Sequence, residues 1–278
     1  IPLVNIECKN PASFTSDWFT AFEQIKRYEK SIPELYKYVQ IGVAAESIAK
    51  YFPIVPWQAQ EEIKFYEWKE KNKDSIDSII EMLSPQVLPD IIKNYLYYRI
   101  QFGKATKIIT RYMQYYASQD IVNRVMDNLA GKEDKNKGLI WHWQGSGKTL
   151  TMIFAAQKLF YAGKLENPSI FFIVDRIDLE EQLSQELNAL ELPVDSIGSV
   201  ADLKNIIKHD DFRGKRGIML ALIHKFRPEE LAELYAELSR LSAEKDTIQT
   251  RKNIITFVDE AHRTQYGPLA GQMKNILK

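Results

Sequence analysis

The chain has 278 residues, with 37 Lys and Arg against 37 Asp and Glu, one Cys, 45% apolar and 27% charged residues. At roughly 150 residues per domain this length fits about two domains, each large enough for its own core. The lone cysteine excludes an internal disulfide and a cysteine-based zinc knuckle. Zero net charge excludes a polycation that grips nucleic acid by bulk charge, and no apolar run reaches the ~18 residues of a membrane helix.

With no charged-then-apolar leader, the composition predicts a soluble chain in a reducing cytoplasm. The opening Ile1-Pro2-Leu3-Val4-Asn5-Ile6 reads as the inside of a strand and lacks an initiator Met, so the chain is expected to be part of something longer. Ser16 and Asp17 offer an N-cap to a helix in which Trp18, Phe22 and Ile25 recur at helical spacing until Pro33 breaks it. Residues 38–43 read as a second short strand. From residue 61 to about 118 the pattern is helical and charge-rich. Ile76, Ile79, Ile80 and Leu83 form one stripe, and Ile91, Ile92 and Tyr95 another. Aromatics are too many and Gly and Ser too few for a flexible linker, so a helical connection is expected here. The polar loop Gly131-Lys132-Glu133-Asp134-Lys135-Asn136-Lys137-Gly138 closes it.

Beyond this loop, continuous apolar runs at 139–143, 170–174, 218–223 and 254–258 alternate with helical patterns. Continuous runs indicate strands covered on both faces, and the intervening helices imply βαβ units in a parallel, doubly wound α/β sheet. Ligands of such sheets sit at the carboxyl ends of the strands.

Directly after the first run stands Gln144-Gly145-Ser146-Gly147-Lys148-Thr149, followed by a helix over 150–161 that is apolar on nearly all sides. Gly145, Ser146 and Gly147 let the backbone curl so that successive N–H groups face phosphate oxygens, and the helix adds its positive N-terminal end. Lys148 is placed to reach the β- and γ-phosphates, and the Thr149 hydroxyl to ligate Mg²⁺. The full P-loop pattern has Gly six residues before the Lys, where this chain has His142. About 110 residues on, the run Ile254-Ile255-Thr256-Phe257-Val258 delivers two adjacent carboxylates, Asp259 and Glu260, followed by Ala261 and His262. Asp259 would hold Mg²⁺ through its water shell and Glu260 would polarise the water that attacks the γ-phosphate. Alone, either feature is also a Gly-rich turn or an acidic strand end; together, and in this order, they point to NTP binding.

A second chemistry is written at the start of the chain. Alternation along the first strand places Glu7 and Lys9 on one face, with Ile6 and Cys8 on the other. A carboxylate that binds Mg²⁺ and an ammonium beside the attacking water make the catalytic half of a metal-dependent phosphodiesterase. The spacing alone carries little, because Glu62-Ile63-Lys64, Glu67-Trp68-Lys69 and Glu133-Asp134-Lys135 share it in helical or loop contexts. The first instance stands on a strand and is followed by Gln24 and Tyr28, four residues apart on one helix face. A surface ion pair on an edge strand is the plainer alternative.

Asp259-Glu260-Ala261-His262 resembles the DEAH box of superfamily 2 helicases and translocases. Asp175-Arg176-Ile177-Asp178-Leu179-Glu180-Glu181-Gln182 is similar to the motif that touches the DNA backbone in that superfamily, and is equally a charged helix start capped by Asp178. At Ala221-Leu222-Ile223-His224-Lys225-Phe226 the superfamily's threonines are missing, and Lys225 also fits a surface charge. By the same resemblance Gln114 reads adenine, which makes the nucleotide ATP; Tyr112, Tyr115 and Tyr116 are expected to pack. Glu7-x-Lys9 with Gln24-x-x-x-Tyr28 resembles nucleases of the PD-(D/E)xK class, which also need an upstream Asp that this chain does not show. The combination resembles the motor subunit (HsdR) of type I restriction enzymes over nearly the whole chain, most thinly over residues 44–72, where the chain is shorter than the family leads one to expect.

The resemblance implies part of a nuclease domain over residues 1–70, a helical connection over 71–130, and a first RecA-like motor domain over 131–278. It implies ATP-driven translocation on double-stranded DNA coupled to endonucleolytic cleavage, with ATP and Mg²⁺, in a complex with methyltransferase and specificity subunits. A second motor domain would supply an arginine finger, so this chain alone is expected to bind ATP poorly. Two alternatives stand beside this reading: a superfamily 2 helicase-nuclease of DNA repair or of another restriction system, and a non-catalytic NTP-sensing assembly module.

Overall fold

In the computed structural model the described residues are 1–278 except 14, 15, 102, 144, 260–266 and 278. They form two compact units, Ile1–Ala117 and Ser118–Lys278.

The first unit is built on a three-stranded sheet of β1 (Val4–Cys8), β2 (Ile41–Ala45) and β3 (Ala49–Pro53), with β1 parallel and β3 antiparallel to the central β2. Helix α1 (Trp18–Ser31) starts at Asp17, whose carboxylate accepts from the Thr20 N–H at 2.9 Å while the Thr20 hydroxyl accepts from the Asp17 N–H at 3.4 Å. Such a cap stabilises a helix by about 1 kcal/mol. Ser16 is not the cap. Ala21, Phe22 and Ile25 of α1 are fully buried against Ala44, Phe52 and Ile54, and Phe22, Phe52 and Phe65 meet edge to face. The short helix α2 (Pro33–Tyr36) follows, opened by Pro33 as expected of its fixed φ.

The helical stretch expected over 61–118 is corrected. It holds α3 (Ser75–Met82) and α4 (Leu88–Asn94), but then a β-hairpin of β4 (Leu96–Gln101) and β5 (Lys104–Ile109). Aromatic and β-branched residues in alternation (Tyr97 buried, Tyr98 exposed; Lys107 and Ile109 buried) favour the strand, and Gly103 at φ +74° closes the turn. Helix α5 (Tyr112–Leu129) begins in the first unit and ends in the second.

The second unit holds a four-stranded sheet, all neighbours parallel, in the order β7 (Val194–Ile197), β8 (Gly217–Leu222), β6 (Ser169–Val174) and β9 (Ile254–Val258). Ile170, Phe172 and Val174 of β6 face α6 (Lys148–Phe160) and α7 (Ile177–Ala189). Phe171 and Ile173 face α8 (Val200–Lys208), α9 (Pro228–Leu241) and α10 (Gly267–Ile276). This is the doubly wound α/β arrangement that continuous apolar strands require. The expected strand at 139–143 is not formed. Those residues carry no regular secondary structure and no ladder partner among the described residues, and Leu139, Trp141 and Trp143 are exposed. An apolar run records a need for cover but not which neighbour supplies it. The short β7 escaped the sequence because it is an edge strand with Asp195 and Ser196 in its middle.

Candidate active sites

The first site lies on α1 and the edge strand β1. The Lys9 N–H bonds the Ala45 carbonyl at 2.8 Å just past the end of β1, which aims its side chain to the same face as Glu7. Lys9 Nζ donates to Glu7 Oε1 at 3.0 Å and to Gln24 Oε1, and Gln24 Nε2 donates to the Tyr28 hydroxyl. The structure therefore brings all four sequence-predicted residues into one hydrogen-bonded chain, with Lys9 and Glu7 only 17% and 18% exposed. Glu7 Oε2 has no hydrogen-bond partner among the described residues, which leaves one carboxylate oxygen for a cation. Among the described residues no group of three His, Cys, Asp or Glu could hold a metal, so Glu7 stands as a single ligand.

Sequence reasoning missed what lies behind this chain. Lys26 and Glu29 form a buried ion pair, each 4% exposed, and the Tyr36 side chain is 3% exposed. Burial pushes the Glu29 carboxyl up despite Lys26 beside it, and burial followed by the charge of Glu29 pushes the Tyr36 phenol up to about 12. A signal was present: Lys26 is four residues after Phe22 and Glu29 four after Ile25, so both continue the apolar stripe of α1.

The second site opens the second unit's α6. Gly145 and Gly147 adopt φ +78° and +86°, the left-handed region that favours glycine, with Ser146 buried between them. Alternation of this kind turns successive N–H groups to one side, and α6 adds its N-terminal dipole. Lys148, the first residue of α6, is exposed and has no ion pair among the described residues; Thr149 follows it, partly buried. His142 Nδ1 is buried without a partner among the described residues. Burial, and then the charge of Lys148, push its imidazole below the usual range, so it is neutral near pH 7.

Asp259 follows β9, and its N–H bonds the Ile173 carbonyl at 3.1 Å, extending the β6–β9 ladder to the carboxyl end of the sheet. Glu260, Ala261 and His262 lie outside the described residues. Gln114 stands in the first turn of α5 in the first unit, 2% exposed, with Oε1 accepting from the Arg111 N–H at 2.9 Å. Tyr115 packs on Trp68 and Tyr95, and the Tyr116 hydroxyl bonds Glu70. Asp178 does not cap α7: it pairs with Arg176 at 3.0 Å, and Lys225 pairs with Glu180 at 3.6 Å. His224 Nδ1 lies 3.0 Å from the Asp175 carbonyl, joining the loops that follow β6 and β8.

Comparison with known proteins follows the same division. Residues 1–61 match the family described as type I restriction enzyme R protein N terminus, and residues 113–278 match the SWI2/SNF2 ATPase family. The chain is similar to the MjaVIIIP protein of Methanocaldococcus jannaschii, whose name places it among type I restriction enzyme endonuclease subunits, at 32% identity over the whole chain and 28% of that protein. The MjaVIIP protein of the same organism is 37% identical over 82% of the chain and 23% of its own length. The type I restriction enzyme HindI endonuclease subunit of Haemophilus influenzae is 32% identical over 96% of the chain and 25% of its own length. The chain thus spans about a quarter of the length of these relatives.

Proposed function

Because the chain belongs to the family of type I restriction enzyme endonuclease subunits, we propose that it forms part of a restriction subunit that couples ATP-driven translocation on double-stranded DNA to endonucleolytic cleavage. One observation carries the reading: the first family match lies within the first unit and the second covers the whole of the second unit, and apart from Gln114 each unit holds one of the two candidate sites. The first unit is read as the latter part of a PD-(D/E)xK nuclease domain and the second as a RecA-like motor domain. The sequence boundaries of 1–70, 71–130 and 131–278 belong to the same proposal.

In the motor, the N–H groups of 145–149 and the ammonium of Lys148 bind the β- and γ-phosphates. The Thr149 hydroxyl and the Asp259 carboxylate hold Mg²⁺, which when bound neutralises charge that develops on the phosphates. Glu260 orients and polarises the attacking water, and Gln114 reads the adenine. In the nuclease, Glu7 holds Mg²⁺ with its free oxygen and Lys9 steadies the attacking water, while Gln24 and Tyr28 fix Lys9 in place. The partners proposed are the methyltransferase and specificity subunits of the complex, and the compartment is the cytoplasm. The test is DNA-stimulated ATP hydrolysis by the full-length protein. Lys148→Ala should abolish it, and undiminished turnover in that variant overturns the motor assignment.

A further inference from the structure

We propose that Asn5 is a cation ligand, its Oδ1 completing with Glu7 Oε2 a two-oxygen seat for a divalent cation on β1. The proposal rests on the nuclease reading above and adds a donor that reading lacks.

Among the described residues Glu7 has no second acidic or imidazole group beside it, but hard divalent cations also take the carbonyl oxygen of an asparagine amide. Asn5 stands two residues before Glu7, as Lys9 stands two after it, and side chains two apart on a strand point to one face about 6.7 Å from each other. The ladder fixes which face this is. Asn5 lies opposite Gly42 and, one strand further, Phe52, while Glu7 lies opposite Ala44. Ala44 and Phe52 pack against α1, and Lys9 bonds Gln24 of that helix, so Asn5, Glu7 and Lys9 share the α1 side of the sheet. Glu7 is thus flanked by an ammonium on one side and an amide on the other.

The two flanks differ in what they satisfy. Lys9 takes Glu7 Oε1 at 3.0 Å, and Oε2 has no hydrogen-bond partner among the described residues. On the other flank Asn5 Oδ1 is buried and also has none among them. The pairing shows why: Gly42 brings no side chain, and the Phe52 ring lies over that glycine, 2.4 Å from where a Cβ would stand, so neither offers a donor. Buried polar atoms are as a rule paired, and a valine would fill this place on a strand without leaving an oxygen alone. Two acceptors without a proton between them cannot bond each other. A cation satisfies both: at ~2.1 Å from each it joins oxygens as much as ~4 Å apart, and the length of the Glu7 side chain covers the rest of the strand spacing. Asn5 and Glu7 are each partly exposed, so the seat is open to solvent. An amide adds a ligand without adding charge, which leaves the ion's pull on a phosphate oxygen undiminished and its remaining positions to water and DNA.

The experiment uses the full-length protein without nucleotide, and Fe²⁺ as the probe. With ascorbate and hydrogen peroxide, bound iron cuts the chain around its seat, and Mg²⁺ suppresses the cuts where it takes the same place. Cuts are expected at β1 and the facing part of α1, and Mg²⁺ should suppress them. Asn5→Val should raise the Fe²⁺ concentration for half-maximal cutting at β1 at least about tenfold, because groups that merely orient a metal ligand already count for that much. Its melting temperature should not fall, since the variant removes a buried oxygen that has no partner among the described residues, and this separates a lost ligand from a lost fold. Asn5→Asp, which presents an oxygen at the same place, should keep the cuts. An unmoved half-maximal concentration in Asn5→Val, or loss of the cuts in Asn5→Asp, overturns the proposal. Glu7→Gln is the control. Cuts at β1 that survive in it, or their absence from the parent protein, overturn the metal role of Glu7 and the nuclease reading with it; cuts lost in Glu7→Gln but unmoved in Asn5→Val overturn the role of Asn5 alone.

Discussion

Gly42 sits opposite Phe52 in the β2–β3 pairing, and a Cβ built on it would stand 2.4 Å from the Phe52 ring and 3.0 Å from Ile54 Cδ1. The glycine lets a fully buried aromatic lie flat across the central strand of the first sheet. Because Phe52 is itself wedged against Phe22 and Phe65, it has nowhere to retreat. Gly42→Ala should therefore destabilise the first unit by about 1–3 kcal/mol, the usual cost of overpacking. Chemical denaturation measures this, and an unmoved midpoint would show that the ring yields. At this scale the sequence was legible wherever chemistry and spacing coincide. Glu7, Lys9, Gln24 and Tyr28 were readable because strand and helix periods put each pair on one face. Tyr36 was not, since its burial depends on how α2 folds back on α1, which no local period encodes.

Lys107 of β5 ties the hairpin of β4 and β5 to the residues that flank β2 and β3. Lys107, 3% exposed, donates to Gln40 Oε1 at 2.7 Å and to the Gln40 and Ile54 carbonyls at 3.3 Å, with Tyr98 beneath its ammonium. Burial pulls its ammonium down to about 8 from the ordinary 10.5. Between about pH 8 and 10.5 the unfolded chain keeps this proton while the folded chain has released it, so stability rises with pH there. Below about pH 8 both states are protonated and this residue adds no pH dependence. Above about pH 10 the phenols of Tyr51, Tyr66 and Tyr98, all raised by burial, act oppositely. Thermal unfolding at about pH 7.5 and about pH 9.5 should show the parent chain gaining on Lys107→Met. Parallel curves would refute it. Among the elements, β6, β8 and β9 were legible because strands covered on both faces leave long apolar runs. The hairpin was not, because a run such as Leu96-Tyr97-Tyr98-Arg99-Ile100-Gln101 fits a helical stripe and a two-residue alternation equally well, and only packing chooses.

Over the whole molecule, the principal residues of each candidate site come from one unit: β1 and α1 in the first, the loop before α6 and the end of β9 in the second, with Gln114 alone of the second set lying in the first unit. Separate construction makes the two proposed chemistries separately removable. In the full-length protein Lys9→Ala should abolish DNA cleavage and leave DNA-stimulated ATP hydrolysis intact. Equal loss of both would mean that Lys9 supports the fold rather than the chemistry. The stretch leading into the phosphate loop has an optical consequence. Trp141 and Trp143 are 87% and 63% exposed, whereas Trp68 is 1% exposed. Two solvent-facing indoles near Gly145 give the candidate phosphate loop intrinsic fluorophores red-shifted from the buried Trp68, and with the similarly exposed Trp57 replaced by Phe the loop's surroundings can be followed without any added dye.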